Sequence, residues 1–199
     1  VSDHYYTNRP NATHDEREYT FTLRDHSYRF TTDSGVFSRE RVDFGSVLLI
    51  ETMNFDRTAK VLDVGCGYGP IGLAAARIAD QGQVTMIDVN ERAVELAKRN
   101  AKANGIHNVE ILVSDVYEAV QGRSFDVILT NPPIRAGKET VHRIFSEGYD
   151  LLNPGGQMWV VIQKKQGAPS AYKKLMELFG EVEEADKSKG YLIFCARKK

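Results

Sequence analysis

Three carboxylates, a glycine turn and an asparagine followed by two prolines carry the chemistry open to this sequence. "VLDVGCGYGPIGLAAA" reads as a buried strand, a glycine-rich turn and a helix, with Pro70 in the first helical turn, where a missing N–H is tolerated. Gly65, Gly67 and Gly69 let backbone approach a ligand closely at the end of that strand, and Cys66 is a small member of the turn rather than a nucleophile. Asp63 precedes the turn, Asp88 ends the run "QVTMID" and Asp115 follows "VEILVS". "TNPPIRAGK" then closes a fourth apolar run, "FDVILT". Adjacent prolines at a strand end hold one backbone shape where a simple turn would use glycine.

Two ligands compete for the glycine turn. Gly67, Gly69 and Gly72 spell G-x-G-x-x-G, and Asp88 follows at about the spacing a dinucleotide site uses. Against that reading, Asp63 would turn its negative charge toward a pyrophosphate, whereas it suits a ligand with a cationic amino group, met directly or through water. Taken singly, Asp88 could cap the following helix and Asp115 could begin a turn. Three acids at the ends of three successive strands, on one sheet edge, together mark a cofactor site.

The elements that must position these residues are short apolar runs alternating with amphipathic helices from Lys60 onward. That pattern means a doubly wound α/β fold with a mostly parallel, seven-stranded sheet. The helices are "IGLAAARIA", "ERAVELAKRNAKAN", "ETVHRIFSEGYDLL" and "SAYKKLMELF", and "ANG", "NPGG" and "FG" are read as closing three of them. The last two runs, Val182 to Asp186 and Gly190 to Ala196, are too close for a parallel crossover and require an antiparallel hairpin at one sheet edge. Upstream, period-two alternation on both sides of "RDHS" predicts a β-hairpin from Glu18 to Asp33, and "VDFGSVLLIETM" predicts a short helix capped around Gly45 and Ser46. The expected division is an N-terminal extension over 1–45, packed on a main domain over 46–199.

With 199 residues and net charge −1 the chain can form a full core, and it lacks the overall basicity of a nucleic-acid coat protein. Any RNA contact must come from a local patch. From Ile134 to Lys174, seven basic residues face three acidic ones, and in a doubly wound sheet Arg135 and Lys138 should lie near Lys164 and Lys165. The alternative is a solvated helix face. The two cysteines lack metal-site spacing, His26, His107 and His142 suggest no metal, and Trp159 is read as core. No long apolar run or signal-like segment is present, so a cytoplasmic location without membrane contact is expected. Oligomeric state is left open.

The glycine stretch closely resembles the first motif of class I S-adenosylmethionine-dependent methyltransferases. Together with "TDSGVFSRERVDFGSVLLIE", "NPPIRAGKET" and "LLNPGGQMWVVIQKKQGA", the chain resembles the short RsmC-like members of the small-subunit ribosomal RNA guanine-N2 methyltransferases. "GVFS", D-x-G-S and the N-P-P context are the narrower signals. Longer members carry an additional amino-terminal domain that helps with folding and RNA recognition, which this chain is expected to lack. The resemblance implies S-adenosylmethionine as cofactor, S-adenosylhomocysteine as product, and 16S ribosomal RNA or the small subunit as partner, with no metal required.

By position, the resemblance puts Gly65 to Gly69 under the cofactor's methionine part. Asp88, with Val89 beside it, meets the ribose hydroxyls, Asp115 the adenine amine, and Val116 donates a backbone N–H. Asn131, Pro132 and Pro133 would then face the methyl acceptor. An exocyclic amine on a base is a weak nucleophile because its lone pair is spread into the ring. The Asn131 side-chain carbonyl and the Pro132 carbonyl can each accept an amine hydrogen and turn that lone pair toward the methyl group. The usual aromatic after N-P-P is Ile134 here, which covers a base without quadrupole-assisted stacking. Phe37 and Ser38 are expected over cofactor or base, although Phe37 could equally be core. Rival readings are transfer to another RNA base or a protein glutamine amide, a dinucleotide oxidoreductase, and a non-catalytic RNA-binding or assembly factor on the same fold.

Overall fold

The structure is a computed structural model and describes residues 14–36 and 41–199. The alternating segment forms β1 (Arg17–Leu23) and β2 (His26–Thr32), paired antiparallel. Arg24 and Asp25 take positive φ, 47° and 64°, which matches the turn to the strand twist. Helix α1 (Phe44–Thr52) starts earlier than expected, because the cap is Asp43, whose carboxylate accepts from the Ser46 N–H at 3.1 Å. An acidic side chain satisfies a free helix N–H where glycine has no atom to do so, and Gly45 therefore lies inside the helix.

The order continues with β3 (Lys60–Val64), α2 (Pro70–Ile78), β4 (Gln83–Asp88), α3 (Glu91–Ala103), β5 (Val109–Val113) and β6 (Phe125–Thr130). It ends with α4 (Lys138–Leu151), β7 (Leu152–Gln163), α5 (Ala168–Phe179), β8 (Val182–Ser188) and β9 (Tyr191–Arg197). The main sheet has seven strands in the order β5-β4-β3-β6-β7-β9-β8. β5, β4, β3, β6 and β7 are parallel, and β9 pairs antiparallel with both β7 and β8, as the short connection demanded. "NPGG" does not form a helix-closing turn. It is a bulge inside β7, where pairing with β6 jumps between Phe125 and Val127, and Gly155 donates to the Lys198 carbonyl at 2.8 Å.

One core layer lies between the sheet and α1, α2, α3 and the hairpin, and the other lies under α4 and α5. Leu23, Tyr28 and Phe30 of the hairpin are fully buried in the first layer. The expected boundary at 45/46 falls within α1. Asn100 of α3 and Asn104, the residue that caps its C-terminus, tie the hairpin down. Asn100 accepts from the Thr31 N–H at 2.8 Å and donates to the Thr31 carbonyl at 3.0 Å, and Asn104 does the same for Arg29 at 3.0 and 2.9 Å. Side-chain amides thereby replace the missing neighbour strand of β2 and satisfy its edge.

Strand order reverses between β3 and β6, so the segments after these two strands diverge around a crevice, the place where open α/β sheets bind ligands. The glycine turn follows β3 and the Asn-Pro-Pro segment follows β6. Among the described residues, no helix is long and apolar enough to cross a membrane, and no cluster of three or more His, Cys, Asp or Glu could hold a metal ion.

Candidate active site

The crevice is a cavity of about 490 Å³. Gly65, Cys66, Gly67 and Tyr68 form one wall, Asn131 to Arg135 a second, and Asp43, Ser46, Gln163 and Tyr191 contribute from α1, β7 and β9. The turn needs its glycines: φ is +74° at Gly65, +57° at Gly67 and +117° at Gly69, the left-handed region that other residues rarely enter. No described residue lies within 4 Å of where a Gly65 Cβ would stand, so among the described residues the space above the turn is left to a ligand. Gly69 is the residue before α2, and Gly72 brings that helix so close to Met86 that a Cβ would lie 2.6 Å from its side chain. The third glycine of the G-x-G-x-x-G match thus serves helix packing.

The carboxylates lie below and beside this turn. Asp63 is completely buried, and among the described residues neither oxygen meets a donor in full hydrogen-bonding geometry, although the Gly72 N–H opposes the effect of burial. Burial pushes its pKa up to about 8. Asp88 accepts from the Gly67 N–H at 2.8 Å and the Asn90 N–H at 2.9 Å, which shapes the turn, and burial raises its pKa to about 6. The α3 cap is Asn90, accepting from Arg92 and Ala93, so Asp88 is not the helix cap. Burial also raises the Cys66 thiol well above its ordinary value, which keeps it neutral and unreactive.

Farther along the edge, Asp115 is exposed and its carbonyl receives the Glu118 N–H at 3.1 Å, so it also begins a turn. Val116, half-buried, has φ +49°, and Val89 is half-buried just past β4. Asp63, Asp88, Val89, Asp115 and Val116 do not line the cavity itself. Residue Phe37 lies outside the described residues.

The Asn-Pro-Pro segment is held by a partner that sequence spacing did not disclose. The Asn131 side-chain N–H₂ donates to Asp43 Oδ2 at 3.2 Å and to Ser46 Oγ at 3.1 Å. Its donors are thereby occupied, and Oδ1 is left as an acceptor on a residue lining the cavity. The carbonyls of Pro133 and Ile134 receive the N–H groups of Ala136 and Gly137, whereas the Pro132 carbonyl receives none from a described residue. Two acceptors that no described residue uses, fixed by a capped helix and two prolines, stand at the end of β6. The signal that could have found the clamp is D-x-G-S itself, since Asp43 and Ser46 are its first and last letters.

Tyr68 connects the turn to the hairpin: its hydroxyl bonds the Tyr19 hydroxyl, and its carbonyl receives Asn100 Nδ2 at 2.8 Å. Arg135, Lys138, Lys164 and Lys165 are all exposed, and adjacency of β6 and β7 puts the segments that carry them side by side. Of the other bases counted there, Arg143 pairs with Glu147 and Lys174 with Glu177.

Residues 27–195 match the methyltransferase small domain. The chain belongs to this family. It is 52% identical over the full length of both chains to the uncharacterized protein YbxB of Bacillus subtilis (strain 168). It is 40% identical over 131 residues to ribosomal RNA small subunit methyltransferase C of Escherichia coli (strain SMS-3-5 / SECEC), covering 64% of this chain and 38% of that one. Among solved structures, the T. thermophilus 16S rRNA N2 G1207 methyltransferase (RsmC), in complex with AdoMet and guanosine, superposes with TM-score 0.85 at 27% identity. That match covers 96% of this chain and 52% of the T. thermophilus one, so the chain spans about half of it or less of the methyltransferase C relatives.

S-adenosylmethionine, the cofactor of this methyltransferase fold, fits the residues present. The space over Gly65 would take its methionine part, and the buried Asp63, once ionised beside a cationic ligand, would favour that ligand over a pyrophosphate. Loosening the clamp should show its role: Ser46→Ala is expected to lower methyl-transfer kcat about tenfold, the scale of one hydrogen bond, with S-adenosylhomocysteine affinity unchanged in calorimetry.

Proposed function

We propose that the chain transfers a methyl group from S-adenosylmethionine to the exocyclic N2 amine of guanine in 16S ribosomal RNA. One observation carries the reading: the side-chain N–H₂ of Asn131 is held by Asp43 and Ser46, which leaves Oδ1 as an acceptor for an amine, next in the chain to a Pro132 carbonyl that no described residue's N–H occupies. Support for guanine comes from the T. thermophilus relative, whose structure holds guanosine, and support for ribosomal RNA from the methyltransferase C relatives.

When bound, S-adenosylmethionine supplies an electrophilic methyl group on a sulfonium. Asn131 Oδ1 and the Pro132 carbonyl take the two amine hydrogens, which localises the nitrogen lone pair and aims it at that methyl. Pro132 and Pro133 fix the carbonyl direction, so little reorganisation is needed during the reaction. No strong base is required beforehand, because the methylated nitrogen is acidic enough to lose a proton afterwards. Gly65 to Gly69 and Asp63 hold the methionine part, Asp88 with Val89 the ribose side, and Asp115 with Val116 the adenine. Ile134 covers the base, and Arg135, Lys138, Lys164 and Lys165 meet phosphates.

The test is incubation with tritiated S-adenosylmethionine and undermethylated small subunits, with free 16S RNA in parallel, followed by nucleoside analysis. Label in N2-methylguanosine is the expected result, and label confined to another nucleoside or to protein would reject the target. For the phosphate contacts, the Lys164→Glu, Lys165→Glu double variant should weaken RNA binding and reduce the log–log salt slope by about two. An unchanged slope would make these lysines plain solvated surface.

A further inference from the structure

The wall of the cavity formed by the β7–β9 edge carries polar groups that the transfer step does not use. Gln163 ends β7 and Tyr191 begins β9, and the two are register partners across the antiparallel pair. Their side chains therefore leave the sheet on the same face as neighbours, and both line the cavity. The Tyr191 ring is closely seated. A Cβ on Gly45 would lie 2.8 Å from its Cε1, and the Phe44 ring stands 5.7 Å away, centroid to centroid. Gly45 lies between Asp43 and Ser46, so the helix turn that orients Asn131 also leaves the space that the tyrosine ring occupies.

Gln163 is half-buried, yet its amide makes no hydrogen bond to a described residue. An unused donor and acceptor on one planar group, beside an aromatic ring, suits a flat ligand that offers both complements.

We propose that Gln163 and Tyr191 read the acceptor base, an assignment that rests on the guanine-N2 reading above. The Tyr191 ring supplies the aromatic face that Ile134 does not. The Gln163 carbonyl accepts from guanine N1–H, and its N–H₂ donates to O6. With the N2 amine held by Asn131 and Pro132, these are the next two groups along the same edge of guanine. Adenine presented by its N6 amine offers only the N1 acceptor there, so Gln163 favours guanine.

The test uses the full chain and its labelled transfer to small subunits, inhibited by guanosine or by 2-aminopurine riboside, which keeps the 2-amine but lacks O6 and N1–H. The wild-type chain should be inhibited about tenfold more strongly by guanosine. Gln163→Ala should bring the two nucleosides within about twofold by weakening guanosine alone, with S-adenosylhomocysteine affinity unchanged. Tyr191→Leu should weaken both nucleosides about tenfold, and Tyr191→Phe neither. Wild-type discrimination retained in Gln163→Ala, unchanged inhibition in Tyr191→Leu, or no inhibition of the wild-type chain by guanosine would overturn the assignment. The guanine reading fails separately, and only if the wild-type chain puts no label into guanosine of the RNA.

Discussion

Asn131→Ala should lower methyl-transfer kcat by about 10²- to 10³-fold, the loss expected when a preorganised polar contact to the reacting group is removed, while S-adenosylhomocysteine affinity stays within about twofold. The separation follows from what the side chain touches. Its nitrogen is occupied by Asp43 and Ser46, and in the proposed mechanism its oxygen meets the acceptor amine. Asn131→Asp makes a sharper comparison, because it keeps an acceptor oxygen but replaces the N–H₂ that lies 3.2 Å from Asp43 Oδ2 with a second carboxylate oxygen. Two carboxylates at that distance do not both ionise readily, so this variant should lose turnover near neutral pH and recover part of it as pH falls. Single-turnover rates and calorimetry decide the matter. Full turnover in Asn131→Ala, or a loss of cofactor affinity equal to the loss of rate, would remove the acceptor role.

What could be read from the sequence divides along physical lines. The glycine turn was legible because three positive-φ positions in five residues admit few residue types, and the edge hairpin because "KSK" is too short for a crossover. The carboxylates were legible because each stands at or near the close of an apolar run: Asp63 lies inside β3, Asp88 ends β4 and Asp115 follows β5 by two residues. Contacts between distant segments were not. Asn131 meets Asp43 and Ser46 across 88 and 85 residues, so D-x-G-S was recognisable as a pattern without revealing that it holds the asparagine. Misplacing the α1 cap had the same origin. Gly45 suits a helix start by propensity, but in the fold it is small because the Tyr191 ring needs its place. Likewise Asn90 rather than Asp88 caps α3, since the Gly67 N–H claims one Asp88 oxygen, a demand visible only once the turn is folded. "NPGG" offered good turn chemistry and became a bulge because the flanking residues pair on into β7.

Asp63→Asn should raise the melting temperature of the free chain near pH 7.5 and weaken S-adenosylhomocysteine binding about tenfold or more, two effects of opposite sign from one buried side chain. In the folded chain the carboxyl pKa is raised to about 8 from an ordinary value of 3.8, because burial disfavours the ion. Below the lower value both folded and unfolded states hold the proton, and no penalty exists. Between the two values the unfolded chain releases the proton while the folded chain keeps it. Stability therefore falls as pH rises through this window, by up to about 1.4 kcal/mol per pH unit, and levels off above the folded value. Asparagine cannot ionise, so the variant should show a flatter stability profile between pH 4 and 8 in thermal denaturation. A ligand amino group near Asp63 reverses the preference by stabilising the carboxylate, so binding should release a proton at pH 7. Calorimetry in buffers of different ionisation enthalpy would detect that release in the wild-type chain and its loss in the variant. A variant that is destabilised at pH 7.5, or one that binds S-adenosylhomocysteine as tightly as the wild type, would show that Asp63 is an ordinary structural acid with no part in holding the cofactor.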